Sequence, residues 1–509
     1  MKLKMWRFTL FQIAIYSALA IIFILLCLFG LNNLLLLFYS RIRKCEQKTA
    51  KKTVYVKEWP FVTIQVATYN EKDIVKRLLD SCLKIDYPAD KFEIVVVDDS
   101  TDETIDILRE YERKYYPRIK VIHRLERRGF KAGALNEALK NSRGDFLLIL
   151  DADSVPEPDF LKKVIPLFTA DEKLGFVQGK IKYLNAEFSW LTETLALIND
   201  WFAVFVQSAL SKIGMIMSFI GHGGVFRKKT VEDVDGWMSD TITEDMDMAY
   251  RVQLKGWKAI YLEDAVSWEE VPPNYYAAIE RFKRHIKGPI QNLIKHGKTI
   301  LKHNRLSCLE KFEALIQLAY PLVYLLGLTY ISLIVLSYLL IPGKILDAFW
   351  CSAAGFLCSI IMFLTFPYVA LITSFIPTMI LIMMLMVFML IFAVKDRDIM
   401  KKISLKNIFG VALIWNDNLV NCLMPLAGIL AGKKEDIWVP TERMNHKGKK
   451  EQNVNKNGRV RAALLRIISS VIVLAFFTLI LNVNFSLNSL GILIPAILWL
   501  YSAYLILKS

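Results

Sequence analysis

Phe146-Leu147-Leu148-Ile149-Leu150-Asp151-Ala152-Asp153 runs from five apolar residues straight into two carboxylates. A continuous apolar run of this length reads as a strand buried on both faces of an α/β sheet. Such sheets bind ligands in the crevice beyond the carboxyl ends of their strands. Two aspartates one residue apart in a turn can face one cation, and a hard cation with open positions is what a diphosphate leaving group needs. The stretch therefore points to metal-assisted displacement of a phosphate-linked group. An isolated D-x-D pair is a common accident of surface turns, but this one has company. Glu93-Ile94-Val95-Val96-Val97 ends in Asp98-Asp99, and Thr243-Glu244-Asp245 opens a later amphipathic segment.

Upstream, Val62-Thr63-Ile64-Gln65-Val66-Ala67 reads as a first strand, and Thr68-Tyr69-Asn70-Glu71 as the turn that caps a helix over 72–84. A strand at 93–98, a helix at 103–116 and a strand at 119–123 continue the rhythm of a doubly wound sheet, which binds nucleotides across its strand ends. Arg127-Arg128-Gly129-Phe130-Lys131-Ala132-Gly133 sets cations and two glycines at a helix start, a combination suited to an anionic phosphate. Glu244 and Asp245 begin a helix that Gly256 stops; acidic residues there suit the helix dipole, and equally a general base that takes a proton from an acceptor hydroxyl. On the next helix, Arg281-Phe282-Lys283-Arg284-His285 offers guanidiniums that can hold a departing diphosphate bidentately.

The chain has 509 residues, 54% of them hydrophobic, which points to an integral membrane protein. Residues 8–38 are nearly free of charge and too long for a signal-peptide core, so they read as a retained anchor. Further apolar segments lie near 313–341, 345–366, 371–394, 408–430, 463–482 and 487–507, which makes seven in all. Trp415, Asn416, Asp417 and Asn418 interrupt one of them, as a sugar path or an interfacial helix would require. The net charge of +15 crowds beside these segments, at Arg41, Arg43, Lys44, Lys48, Lys51 and Lys52 and again over 433–461. That is the positive-inside pattern of a multi-pass cell-membrane protein with its catalytic domain and the 433–461 loop in the cytosol, and it removes the need for a nucleic-acid partner. With seven crossings, the charged stretch 395–406 falls on the wrong side, so either the rule is broken there or one nearby helix lies in the interface. The seven cysteines show no metal or disulfide spacing.

In order, Ala67-Thr68-Tyr69-Asn70-Glu71, Asp98-Asp99-Ser100, Lys131-Ala132-Gly133-Ala134-Leu135, Asp151-Ala152-Asp153, Thr243-Glu244-Asp245 and the stretch from Arg281 resemble the inverting family 2 glycosyltransferases of membranes, the group of cellulose, mannan and hyaluronan synthases and ceramide glucosyltransferase. Glu244-Asp245-Met246-Asp247-Met248-Ala249-Tyr250-Arg251 is most similar to the glucomannan-synthase-like branch. The resemblance implies a Rossmann-like α/β GT-A domain that binds a nucleotide-sugar, joined to an α-helical transmembrane bundle. Its layout here is an N-terminal transmembrane helix at 1–40, the GT-A domain at 41–310, transmembrane or interfacial helices at 311–432, a cytosolic gating-type loop at 433–461 and two transmembrane helices at 462–509.

It also implies roles. Thr68, Tyr69, Glu71 and Asp98 or Asp99 hold the nucleoside with Lys131 nearby, and Asp151 contacts the nucleotide side. Asp151 and Asp153 hold Mg2+ or Mn2+, and Asp245 beside Glu244 is the base. Arg281 and Arg284 steady the diphosphate, and Trp438 and Thr441 belong to a lid resembling the gating loop of polymerising synthases. The implied reaction passes a hexose from a UDP- or GDP-sugar to a growing β-linked polysaccharide, processively and with translocation of the product. The alternative is a single addition to a lipid. His285 stands where the family carries a tryptophan and His222 where a small residue is usual, which leaves the acceptor, polysaccharide or lipid, open.

Overall fold

The computed structural model describes residues 2–42, 56–340, 404–432, 456–483 and 493–509. A long helix, α1 (Lys2–Ile42), leads into the sheet domain. There β1 (Val62–Thr68), β2 (Phe92–Asp98), β3 (Ile119–His123) and β4 (Phe146–Asp151) run parallel in the spatial order β3-β2-β1-β4. Their connections are the helices α2 (Val75–Leu83), α3 (Thr104–Tyr115) and α4 (Phe130–Lys140). Val62, Ile64, Val66, Ile94, Val96, Leu148 and Leu150 face one way onto Val75, Leu78, Leu79 and Leu108, whereas Val95 and Val97 face the other way onto Ala134 and Ala138 of α4. Covered on both faces, the strands are apolar throughout, and each fully buried branched side chain contributes about 1.5–3 kcal/mol. Where polar residues enter this layer they are paired: Thr63 donates to Glu93 at 2.9 Å and Gln65 to Ser142 at 2.9 Å.

Beyond β4 the sheet turns mixed. β5 (Val155–Pro156), β6 (Leu174–Tyr183), β7 (Gly224–Arg227) and β8 (Lys258–Glu269) complete eight strands in the order β3-β2-β1-β4-β7-β6-β8-β5, with β7 antiparallel to both neighbours and β6 parallel to β8. Three helices, α5 (Phe160–Ala170), α6 (Trp190–Trp201) and α7 (Ser208–Ile213), fall between β5 and β7. After β7 come α8 (Lys228–Glu232) and α9 (Glu244–Leu254). A second core of Phe176, Phe219, Phe226 and Trp237 fills the space under the antiparallel strands, and Met248, Ala249 and Val252 hold α9 against it.

After the sheet come the amphipathic helix α10 (Tyr275–Lys302), then α11 (Cys308–Ala319), α12 (Leu322–Leu340), α13 (Leu405–Asn421), α14 (Leu423–Leu430), α15 (Lys456–Val483) and α16 (Leu493–Lys508). Among the described residues, two helical stretches are long and apolar enough to cross a bilayer, Ile13–Asn33 and Lys456–Leu479. A third counts if α11 and α12 form one span, but the pair is bent by 66°, at Tyr320-Pro321, where proline lacks the amide a continuous helix needs. The 16 residues of α16 reach about 24 Å, short of a hydrocarbon core of about 30 Å.

The segment expected at 408–430 is divided at Cys422 into α13 and α14. Its polar residues tie helices together: Arg466 clamps Asp417 bidentately at 2.7 and 2.6 Å, Ser502 donates to Asp417 at 2.8 Å, and Asn416 donates to the Pro495 carbonyl at 3.3 Å. Trp415 stacks edge-on against Tyr320 and Tyr324. The expected spans at 345–366 and 371–394 lie outside the described residues, as do Trp438 and Thr441.

Candidate active site

Strand register brings the acidic ends together. Thr68 is level with Asp98 and Ala67 with Asp151, so β1, β2 and β4 finish along one edge. At that edge the Asp98-Asp99 pair divides its work. Asp98 is fully buried and accepts from Thr68 Oγ1 at 2.8 Å and Ser100 Oγ at 2.6 Å, with His123 Nδ1 at 2.7 Å from its other oxygen. Both oxygens of Asp99 are taken by Arg124, at 2.7 and 2.6 Å. Thr68 and Asp98, expected to reach a nucleoside, are thus bound to each other inside the protein, because a buried carboxylate must gather donors. Tyr69 and Glu71 do sit in the turn after β1, where the Glu71 amide donates to Thr104 Oγ1 at 2.9 Å. The Arg127 guanidinium lies 3.6 Å from the centre of the Tyr69 ring, which leaves a flat aromatic surface beside a cation.

Lys131 is the centre of the site. Its Nζ donates to Asp151 Oδ1 at 2.5 Å and to the Gly221 carbonyl at 3.0 Å, and lies 3.9 Å from Glu244 Oε1. Burial works against its charge, yet Asp151, Glu244 and Asp245 together raise its pKa above the ordinary lysine value. Asp245 packs onto Gly221, whose φ is +90°; a Cβ there would come within 2.9 Å of Asp245 Oδ2, so glycine is needed for the approach. One ammonium does not balance three carboxylates. Burial first, and then Asp245, pushes Glu244 up to about 7, and burial likewise raises Asp245. Two adjacent buried carboxyls are therefore both held above the ordinary carboxylate range.

Behind this cluster runs a buried polar chain. Asp151 N–H donates to Ser154 Oγ at 3.0 Å, Ser154 Oγ meets His222 Nδ1 at 3.0 Å, His222 Nε2 meets Glu269 Oε2 at 2.8 Å, and Arg281 donates to Glu269 Oε1 at 3.3 Å. Burial opposes a charge on Glu269, but Arg281 and His222 outweigh it and hold the carboxyl down at about 2. Asp153 is 3% exposed, and its charge is felt at both Arg281 and His222. Arg284 follows one turn along α10. His285, next to it, reaches the accessible surface, though the protein around it and then Arg281 and Arg284 lower its pKa.

Sequence reading placed His222 beside the acceptor; the ring is 3% exposed and spent on Ser154 and Glu269. Ser154 and Glu269 were missed altogether. A signal for the second existed, since Glu269-Glu270 closes β8 as Asp98-Asp99 and Asp151 close β2 and β4.

The residues fit a divalent cation. Asp151 and Asp153 supply hard oxygen donors from one turn, and the pocket carries an excess of negative charge. No three His, Cys, Asp or Glu side chains converge on a metal position among the described residues. That donor count is what Mg2+ or Mn2+ uses when phosphate oxygens and water complete the shell.

A mixed sheet with a parallel half, acidic strand ends and a basic helix start is the GT-A architecture of nucleotide-sugar enzymes. A mannosyltransferase from Pyrobaculum calidifontis, solved in complex with GDP-Man and Mn2+, shares the fold with a TM-score of 0.52 at 22% identity, over 82% of this chain and 99% of that one. Residues 60–288 match the family described as Glycosyltransferase like family 2. Glucomannan 4-beta-mannosyltransferase 1 of Cyamopsis tetragonoloba is 34% identical over 266 residues, and probable glucomannan 4-beta-mannosyltransferase 14 of Arabidopsis thaliana is 35% identical over 265. The chain spans about half the length of these relatives, with 50% and 49% of them covered. Residues 60–288 are thus similar to family 2 glycosyltransferases, and the chain is cellulose- and glucomannan-synthase-like over the stretch its relatives match.

Proposed function

We propose that the protein is a membrane-embedded, inverting hexosyltransferase that passes a sugar from a GDP- or UDP-hexose to a β-linked polysaccharide. The observation that carries this reading is the gathering of Asp151, Glu244 and Asp245 around Lys131 at the carboxyl edge of the sheet. The relatives' names make mannose the first sugar to try.

In this reading the nucleoside lies against Tyr69 and Arg127, and the diphosphate lies between Lys131 and Arg281 with Arg284. Mg2+ or Mn2+ held by Asp151 and Asp153 would neutralise charge on the departing diphosphate. Asp245, with its raised pKa, takes the proton from the acceptor hydroxyl as that oxygen attacks the anomeric carbon from the face opposite the leaving group, which inverts an α-linked donor to a β-linked product. The charge on Asp245 adds to burial in raising Glu244, so the two neighbouring carboxyls titrate as a pair. The catalytic domain faces the cytosol and the spans guide the product outward.

One observation favours a second reading, a single addition to a lipid. His285 offers a smaller ring than the tryptophan that stacks an acceptor sugar in polymerising relatives. The test is to purify the full chain in nanodiscs, supply GDP- and UDP-hexoses with Mg2+ or Mn2+, and size the labelled product. A high-molecular-weight product sensitive to a β-glycosidase supports the polysaccharide reading. One sugar on an extractable lipid replaces it with the second, and a product of retained anomeric configuration overturns the inverting mechanism.

A further inference from the structure

We propose that His222, braced by Glu269, is a positioning residue that fixes Arg281 relative to the Asp151 turn, so that both close on the same diphosphate. The inference rests on the donor-site reading above.

The His222 ring has no freedom to turn. Ser154 Oγ accepts the Asp151 amide, which leaves its own proton for Nδ1 of a neutral ring or a lone pair for Nδ1–H of a charged one. In either state Nε2–H points at Glu269 Oε2, at 2.8 Å. The backbone is pinned as well: Gln178 Nε2 donates to the His222 carbonyl at 3.0 Å, and the Gly223 amide donates to the Ile149 carbonyl at 2.8 Å. Glu269 divides its two oxygens between His222 and Arg281. Four consecutive hydrogen bonds therefore link the end of β4, the loop before β7, the end of β8 and α10.

A merely structural role would be met more cheaply by apolar packing, because buried charge is costly to desolvate and an apolar replacement of similar volume is often neutral or stabilising. The two ends of the chain also have a direction. One is the backbone of the residue that Lys131 grips, and the other is a guanidinium that feels the charge of Asp153, two residues further along the same turn. Removing His222 leaves Glu269 free to swing Arg281 away, whereas Arg281 can do nothing for the turn once the guanidinium itself is gone.

The test is a double-substitution cycle on the full chain in nanodiscs, read by equilibrium binding of GDP and UDP with Mn2+ and by kcat and KM of transfer. His222→Ala is expected to weaken nucleoside diphosphate binding about 10-fold, as supporting partners of a site commonly do. Glu269→Gln should do the same, and adding His222→Ala to Arg281→Ala should cost less than twofold more. Equal losses in both backgrounds, or unchanged binding by a folded His222→Ala protein, overturn the proposal. If His222→Ala does not fold, His222→Gln, which keeps a donor of similar size, carries the same cycle. A parent that binds no nucleoside diphosphate sinks the donor-site reading and the relay with it; a parent that binds, with additive losses, sinks the relay alone.

Discussion

Two acidic neighbourhoods begin the same helix and differ in how their charge is met. At Asp247, which is fully buried, Arg251 lies at 2.7 Å, Lys295 at 2.7 Å and His296 at 2.8 Å. Burial opposes ionisation there, but those partners outweigh it and bring the carboxyl down to about 2. At Asp245, two residues earlier, three carboxylates share Lys131 and the pKa rises. Positions two apart on a helix point about 200° away from each other, so one run, Glu244-Asp245-Met246-Asp247, feeds both a compensated core and an uncompensated pocket. Compensated charge holds structure, while uncompensated charge awaits a ligand.

Substitutions should separate the two. The largest effect belongs to Asp245→Asn, which removes the proposed base: transfer, measured as nucleoside diphosphate release, should fall by about 10²–10⁴-fold with the melting temperature little changed. Asp247→Asn should act on stability, since it strands Arg251, Lys295 and His296 around a neutral group; a loss of about 3–5 kcal/mol is expected in denaturant unfolding. The Asp247 contribution is present above its unfolded pKa, near 3.8, and is lost as pH falls through about 2.

Glu244 has the opposite sign. Its folded pKa of about 7 exceeds the ordinary value of 4.5, so the folded protein holds the proton more tightly and stability declines as pH rises between those values. Glu244→Gln should flatten that decline in a comparison of melting temperatures at pH 5 and pH 7. The smallest effect is the cation's own. Mn2+ at about 100 times its dissociation constant should stabilise the donor-free protein by about 2.7 kcal/mol, and Asp151→Asn should abolish the gain in the same thermal scan.

What could be read from the sequence followed the range of its signals. Val62, Ile64 and Val66, the run from Ile94 to Val97 and the run from Phe146 to Leu150 are local patterns, and they marked the parallel strands with the acidic residues at their ends. Expected helices at 72–84 and 103–116 correspond to Val75–Leu83 and Thr104–Tyr115. The His222 chain is invisible to such reading because Ser154, His222, Glu269 and Arg281 belong to four separate elements, and no periodicity connects them. Apolar length also hid the break inside 408–430. Asn416 and Asp417 sit in an apolar window yet bond to Pro495, Arg466 and Ser502, and 408–430 falls in two helices that meet at Cys422.

The central claim is that the Lys131 cluster transfers sugar and the Asp247 cluster only holds the fold. Its most direct test is nucleoside diphosphate release per folded molecule for Asp245→Asn and Asp247→Asn, prepared side by side in nanodiscs with an active parent. The account predicts a stable, inactive Asp245→Asn protein and an unstable Asp247→Asn protein whose folded fraction keeps near-parental turnover. Parental turnover by Asp245→Asn, or an equal catalytic loss in both folded variants, would contradict it.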